Sequence, residues 1–235
     1  MRKCFEVQNS ADGESAEILI YDRIGRESGS GISAQDVSNA LRDILPAKQI
    51  LVRINSPGGN LWDGMAIYNM LAERKQYVRC QIDGIAASSA SLIAIAGRET
   101  VMPESGLFMI HMPKISAFGD AQELRRDAEK LDRHTTSLTL AYGRKSGRSE
   151  AAILEKMQCE TWFDSAGALA FGLVDRITEP GGTVTAMASD FDFTGFKNVP
   201  TDLTTRGEAL LYNWGFQNPN QETYAQRWTR FYGNT

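Results

Sequence analysis

Chemistry in this sequence rests on Ser88, His111 and the glycine-rich turn at residues 55–59. There are only two histidines, His111 and His134, so imidazole chemistry must use one of them. His111 ends the apolar run Met109-Ile110-His111, whereas His134 stands beside Arg133 in a charged helical segment and reads as a flanking residue. A lone histidine at a strand end serves structure as readily as chemistry. Ser88 lies in Gly84-Ile-Ala-Ala-Ser88-Ser89-Ala-Ser91, which follows an apolar strand and opens a segment of small side chains. A serine at a strand-to-helix junction faces substrate, and the N–H groups of the helix start stabilise developing negative charge. The same composition would also suit a tightly packed buried helix. Asn55-Ser56-Pro57-Gly58-Gly59 again follows a strand, and its two glycines permit positive φ and leave backbone N–H groups uncovered. Alone it is a strand-to-helix turn. In order, the three features place a nucleophile, a base and an anion site on one rim of the sheet layers.

The elements that must position them alternate between strand and helix from about residue 17 to 178. Strands are expected at 17–21, 50–54, 77–82, 107–110 and 174–177. Ser33, with Asp36 three positions on, reads as a helix N-cap ahead of Val37, Ala40, Leu41 and Ile44. Leu61, Met65, Tyr68 and Leu71 recur at helical spacing. Residues 120–142 form a long helix with Leu124, Ala128, Leu131, Thr135 and Leu138 on one face, and residues 165–171 a short one. Such alternation predicts an α/β domain with largely parallel pairing. The expected layout is a short N-terminal segment at 1–16, a catalytic domain at 17–180 and a C-terminal extension at 181–235. The extension is Gly/Thr/Asp-rich to residue 200 and then mixes Trp214, Phe216, Tyr224, Trp228, Phe231 and Tyr232 with polar residues. Those aromatics suit either a docking surface or packing on the domain or on a neighbouring subunit.

Composition narrows the class. The 235 residues are 42% hydrophobic and 23% charged with a net charge of −4, which suits one substantial domain and neither a nucleic-acid binder nor a polybasic membrane surface. Cys4, Cys80 and Cys159 form no CxxC pair, so no disulfide framework or metal site is expected, and a reducing cytoplasmic setting is. The N-terminus lacks the apolar stretch of a signal peptide, and the low-charge run at 84–97 is too short to span a bilayer.

Taken together, Ile54-Asn-Ser-Pro-Gly-Gly59, Gly84-Ile-Ala-Ala-Ser88, Ala96-Gly97, Met109-Ile-His111 and Gly172-Leu-Val-Asp175 resemble the proteolytic subunit of Clp protease. The resemblance covers residues 17–178 and implies a crotonase-like (ClpP) fold of repeated ββα units, a polypeptide substrate and homo-oligomeric rings around an enclosed chamber. More narrowly, Ala66-Ile-Tyr-Asn69, Asp83-Gly-Ile-Ala-Ala-Ser-Ser-Ala-Ser91, Val101-Met-Pro103 and Glu160-Thr-Trp162 are similar to the ClpP-related head maturation proteases of tailed phages and prophages. That family cleaves scaffold or coat-protein segments within the assembling procapsid. Carried over by position, the resemblance makes Ser88 the nucleophile, His111 the general base, and the N–H groups of Gly59 and Ser89 the oxyanion donors. The triad acid falls on Glu160, where Clp proteases usually carry Asp, with Asp164 the nearby alternative. No cofactor or metal is implied. The segment 1–16 stands where housekeeping members carry the axial loop and first helix that engage an AAA+ unfoldase, which leaves an ATPase partner open. Three rivals start from the same sequence: an acyl-CoA hydratase or isomerase of the crotonase fold, a Ser-Lys peptidase using Lys114, and a non-enzymatic capsid component.

Overall fold

The computed structural model describes residues 5–10, 13–26, 30–44, 49–179, 191–200 and 203. Two compact units divide the chain, Met1–Thr204 and Thr205–Thr235, and the second, with the aromatics from Trp214 onward, lies outside the described residues. Within the first, the strands are β1 (Phe5–Asn9), β2 (Ser15–Ile20), β3 (Gln49–Ser56), β4 (Val78–Ala87), β5 (Glu99–Pro103), β6 (Leu107–Ile110), β7 (Thr161–Phe163) and β8 (Arg176–Thr178). The helices are α1 (Ala34–Asp43), α2 (Leu61–Ala72), α3 (Ser89–Ala94), α4 (Ala121–Ser146), α5 (Glu150–Gln158) and α6 (Ser165–Phe171).

The main sheet runs β1-β2-β3-β4-β5-β8, with β1 antiparallel to β2 and the remaining pairs parallel. One face carries Ala16, Ile18 and Ile20, then Ile50, Val52 and Ile54, then Val78, Cys80 and Ile82, all buried. Period-two alternation puts these residues on one side of the pleat, where α1 and α2 cover them with Val37, Leu41, Ile67 and Leu71. The opposite face holds a polar cluster. Arg53 clamps the Asp83 carboxylate through Nε at 2.7 Å and Nη2 at 2.8 Å, while Tyr21 and Gln81 donate to the same group.

β4 decides where the site forms. Its first half pairs β5, with Cys80 opposite Thr100, and its last three residues pair β6 instead, with Ala87 opposite Met109. The ladder with β3 slips between Ile54 and Ser56, and the Asn55 side chain fills the break by accepting the Ile85 N–H at 3.1 Å. β6 in turn pairs antiparallel with β7. The C-terminal ends of β3, β4 and β6 therefore converge on one rim.

The expected N-cap at Ser33 forms. Ser33 and Asp36 make a reciprocal capping box on α1, and Asp120 and Glu123 make another on α4. The long helix departs from its expected packing: Leu138, Thr139, Ala141 and Tyr142 are buried, but Leu124 is 44% exposed and Phe118 ahead of the helix is fully so. Its residues before Leu131 are almost all exposed, whereas Leu131 and Thr135 are half-buried and His134 stands edge-on to the Trp62 ring of α2 with centroids 4.2 Å apart. Residues 191–200, expected within the C-terminal extension, lie against the domain. There Phe193 is buried with Ile85, Ala87 and Met109, and Phe191, Phe196 and Val199 pack around them. No described helix is long and apolar enough to cross a membrane.

The polar cluster yields a stability prediction. Asp83→Ala would leave a guanidinium, a phenol and an amide without their shared acceptor, so it should lower unfolding free energy by about 3 kcal/mol, read as a reduced urea midpoint.

Candidate active site

Strand register brings the candidate residues together. Because Ala87 lies opposite Met109 in the parallel β4–β6 pair, the residues leaving the two strands emerge side by side. The Ser88 N–H donates to the Met109 carbonyl at 3.0 Å, and the Ser88 hydroxyl reaches His111 Nε2 at 2.7 Å. Ser88 has φ 54°, a left-handed conformation that few non-glycine residues adopt, as the N-cap of α3. The buried Ser91 hydroxyl donates to the Ser88 carbonyl at 2.6 Å and is itself bonded to the Tyr142 hydroxyl at 2.8 Å. A helix-borne tyrosine thus braces the turn that holds Ser88.

The glycine-rich turn closes on the same place. Ile24 donates to the Gly58 carbonyl and accepts from the Asn60 N–H, an arrangement that leaves the intervening Gly59 N–H outside the bridge. Ser89 is the first residue of α3, where a helix N–H has no intrahelical acceptor. Gly59 and Ser89 both line a cleft of about 330 Å³ with Ser88, His111, Leu138 and Tyr142. An oxygen bearing negative charge in this cleft would meet N–H donors from two different turns.

The acid is arranged differently. β6 and β7 run antiparallel with Ile110 opposite Thr161, which sets Glu160 across from His111. Glu160 is buried and has φ 47°. Its carboxylate nevertheless bonds elsewhere: Lys114 Nζ donates to Oε2 at 3.1 Å, and the Asn198 N–H, at 2.9 Å, and the Lys197 N–H donate to Oε1. Burial pushes the Glu160 carboxyl up, but these N–H groups and the Lys114 ammonium outweigh it and hold it below the ordinary range. His111 Nδ1, the atom an acid would orient, is buried and has no hydrogen-bond partner among the described residues. Asp164 caps α6, accepting the Gly167 N–H at 2.7 Å. Lys114, the candidate for a Ser-Lys pair, gives its ammonium to Glu160 and to the Gly195 carbonyl, and the bond to Ser88 comes from His111.

Sequence reasoning did not foresee the part played here by residues 191–198. Asp192, Thr194, Gly195 and Phe196 form one wall of the cleft. Only the spacing of Phe191, Phe193 and Phe196 hinted at packing, and a spacing of two and then three fits neither helix nor strand.

Comparison with known proteins agrees with this geometry. The Clp protease family profile matches residues 9–181. The chain belongs to that family. It is 32% identical over 169 residues to the ATP-dependent Clp protease proteolytic subunit 1 of Protochlamydia amoebophila, covering 70% of this chain and 81% of that one. It is 33% identical over 186 residues to the ATP-dependent Clp protease proteolytic subunit of Citrus sinensis, covering 72% and 93%. Among solved structures, a ClpP1 mutant from Listeria monocytogenes superposes with a TM-score of 0.60 at 25% identity, over 72% of this chain and 92% of that one. The fold is therefore the ClpP, crotonase-like one, and this family member is a serine endopeptidase.

The imidazole environment has a measurable consequence. Burial, with the Lys114 ammonium adding to it and Glu160 opposing, pushes His111 down to about 4. The sequence alone would place this titration in the ordinary imidazole range, near pH 6 to 8. NMR titration of the intact chain should show the resonance that vanishes in His111→Ala titrating near pH 4, so the ring is neutral from about pH 5 upward.

Proposed function

We propose that Ser88 is the nucleophile and His111 the general base of this endopeptidase, with Glu160 as the triad acid and the N–H groups of Gly59 and Ser89 as oxyanion donors. The 2.7 Å contact between Ser88 Oγ and His111 Nε2, at a backbone turn of positive φ, carries the reading. A neutral His111 with its proton on Nδ1 accepts the Ser88 proton as Oγ attacks the scissile carbonyl carbon. The oxyanion accepts from Gly59 and Ser89. Collapse returns the proton from His111 to the leaving amine and gives an acyl-enzyme. Water then attacks the ester with His111 again as base, releasing the new carboxyl terminus and restoring Ser88.

The acyl-CoA reading uses similar N–H pairs but has no need of a bonded serine and histidine. A capsid component without activity has still less. Motifs such as Ala66–Asn69 and Glu160-Thr-Trp162 support a phage or prophage head maturation protease that trims coat or scaffold protein in the procapsid. The curated relatives, named as subunits of ATP-dependent proteases, support a second reading, a cytoplasmic subunit fed by an AAA+ unfoldase. Limited cleavage of a capsid protein without nucleotide would favour the first. Destruction of a folded, tagged protein only when unfoldase and ATP are added would favour the second.

Ring assembly belongs to the same proposal, and the exposed first part of α4 supports it. Leu124 leaves nearly half its surface in solvent, and Phe118 just ahead of the helix is fully exposed. Leu131→Glu on this helix should shrink the particle in light scattering and slow hydrolysis together. A fully active monomer at every concentration would overturn this part.

A serine-reactive fluorophosphonate tests the chemistry. Ser88→Ala should abolish labelling and peptide hydrolysis while the fold persists. His111→Ala should slow both by about 10³-fold or more, and His134→Ala should leave them near the parent rate. Undiminished turnover in Ser88→Ala would sink the mechanism.

A further inference from the structure

Residues 191–198 touch His111 and Glu160 and line the cleft that holds Ser88. Phe193 is buried against Ile85, Ala87 and Met109, in the strand ends that carry Ser88 and His111. The Phe196 ring stands edge-on to the His111 imidazole with centroids 5.6 Å apart, and edge-on to Trp162 at 5.9 Å. Lys114 reaches the Gly195 carbonyl at 3.2 Å, and Asn198 Nδ2 donates to the Cys159 carbonyl at 2.6 Å, anchoring the segment on both sides of Glu160. The Lys197 and Asn198 N–H groups then take one oxygen of Glu160, while Lys114 takes the other. Hydrogen bonds from N–H groups to a carboxylate are of the strong, charge-assisted kind. A carboxylate held on both oxygens must break such bonds to turn toward His111 Nδ1.

We propose that residues 191–198 form an autoinhibitory strap, which walls the cleft and withholds Glu160 from His111 until it is displaced. The inference rests on the assignment of Ser88, His111 and Glu160 made above. Release has two effects. It opens the wall formed by Asp192, Thr194, Gly195 and Phe196, and it frees the carboxylate that β6–β7 register has already set opposite the imidazole. A strap within the same chain competes at fixed effective concentration, so dilution alone does not relieve it.

The test uses the full-length chain and compares it with Phe193→Asp/Phe196→Asp, which puts charge into the apolar seat of the strap. Lys197→Pro is a milder second variant, removing one N–H from Glu160 at an exposed position. Near-ultraviolet circular dichroism verifies the fold, and hydrogen exchange at Asn198 reports whether the strap has left. The expected result is faster Asn198 exchange together with fluorophosphonate labelling and short-peptide hydrolysis raised at least about tenfold, with a smaller rise for Lys197→Pro. Released strap with labelling equal to or slower than the parent chain overturns the strap while leaving the peptidase intact. Released strap with no labelling in any folded chain, parent included, overturns the assignment of Ser88 and the strap with it.

Discussion

Two backbone turns meet beside Ser88, and the site depends on how closely they approach. A Cβ on Gly58 would fall 2.5 Å from the Ala87 carbonyl oxygen, 2.8 Å from Ser88 Cβ and 2.9 Å from the Ser89 nitrogen. No side chain fits in that gap, so the turn after β3 can touch the turn after β4 only through glycine. Gly59 is held equally tightly from the other side, where a Cβ would lie 2.1 Å from the Ile24 carbonyl oxygen. The contact sets two N–H groups from separate turns around one cleft and fixes the position of Ser88 relative to both. Its strained φ is sustained by bonds at both ends of the residue, from the Ser88 N–H to Met109 and from Ser91 to the Ser88 carbonyl.

The base and the acid are placed by a different device, ladder register, and this explains why His111 meets Ser88 while Glu160 is not bonded to His111. Parallel pairing of β4 with β6 delivers His111 directly to Ser88. Antiparallel pairing of β6 with β7 delivers Glu160 only to the neighbourhood of His111, because Glu160 leaves α5 just ahead of β7 and its side chain has several donors within reach. Glutamate has one more methylene than aspartate. That added reach lets the carboxylate meet Lys114 and the Asn198 N–H instead of the imidazole.

Legibility in the sequence follows the same division. Ser33-Asp36 announced a helix start because capping is local chemistry, and Ser-Pro-Gly-Gly, Ser88 and His111 were visible because each follows a strand. β1 was missed since Phe5 and Val7 offer only one alternation, and β7 since three residues carry no period. The hold on Glu160 left no trace at all. Two of its donors are backbone N–H groups of Lys197 and Asn198, which any residue but proline could supply. The seat of Phe193 is equally hidden, being assembled from Ile85, Ala87 and Met109 on two strands far away in the chain.

Helix α4 joins the site to the exterior of the domain. At 26 residues it is about 39 Å long; residues 121–130 are largely exposed, while Leu138, Ala141 and Tyr142 are buried. The anchored part carries Leu138 and Tyr142 into the cleft, and Tyr142 ends in the bond to Ser91 that supports the Ser88 carbonyl. Within the helix the hydroxyls of Thr135, Thr136 and Ser137 each donate to the carbonyl four residues back, a pattern that slightly weakens and bends helices. Gly143 lies beyond Tyr142, on the far side from the exposed end. Helix α4 thus ties the turn that holds Ser88, through Tyr142 and Ser91, to a surface that is largely exposed in this chain over residues 121–130.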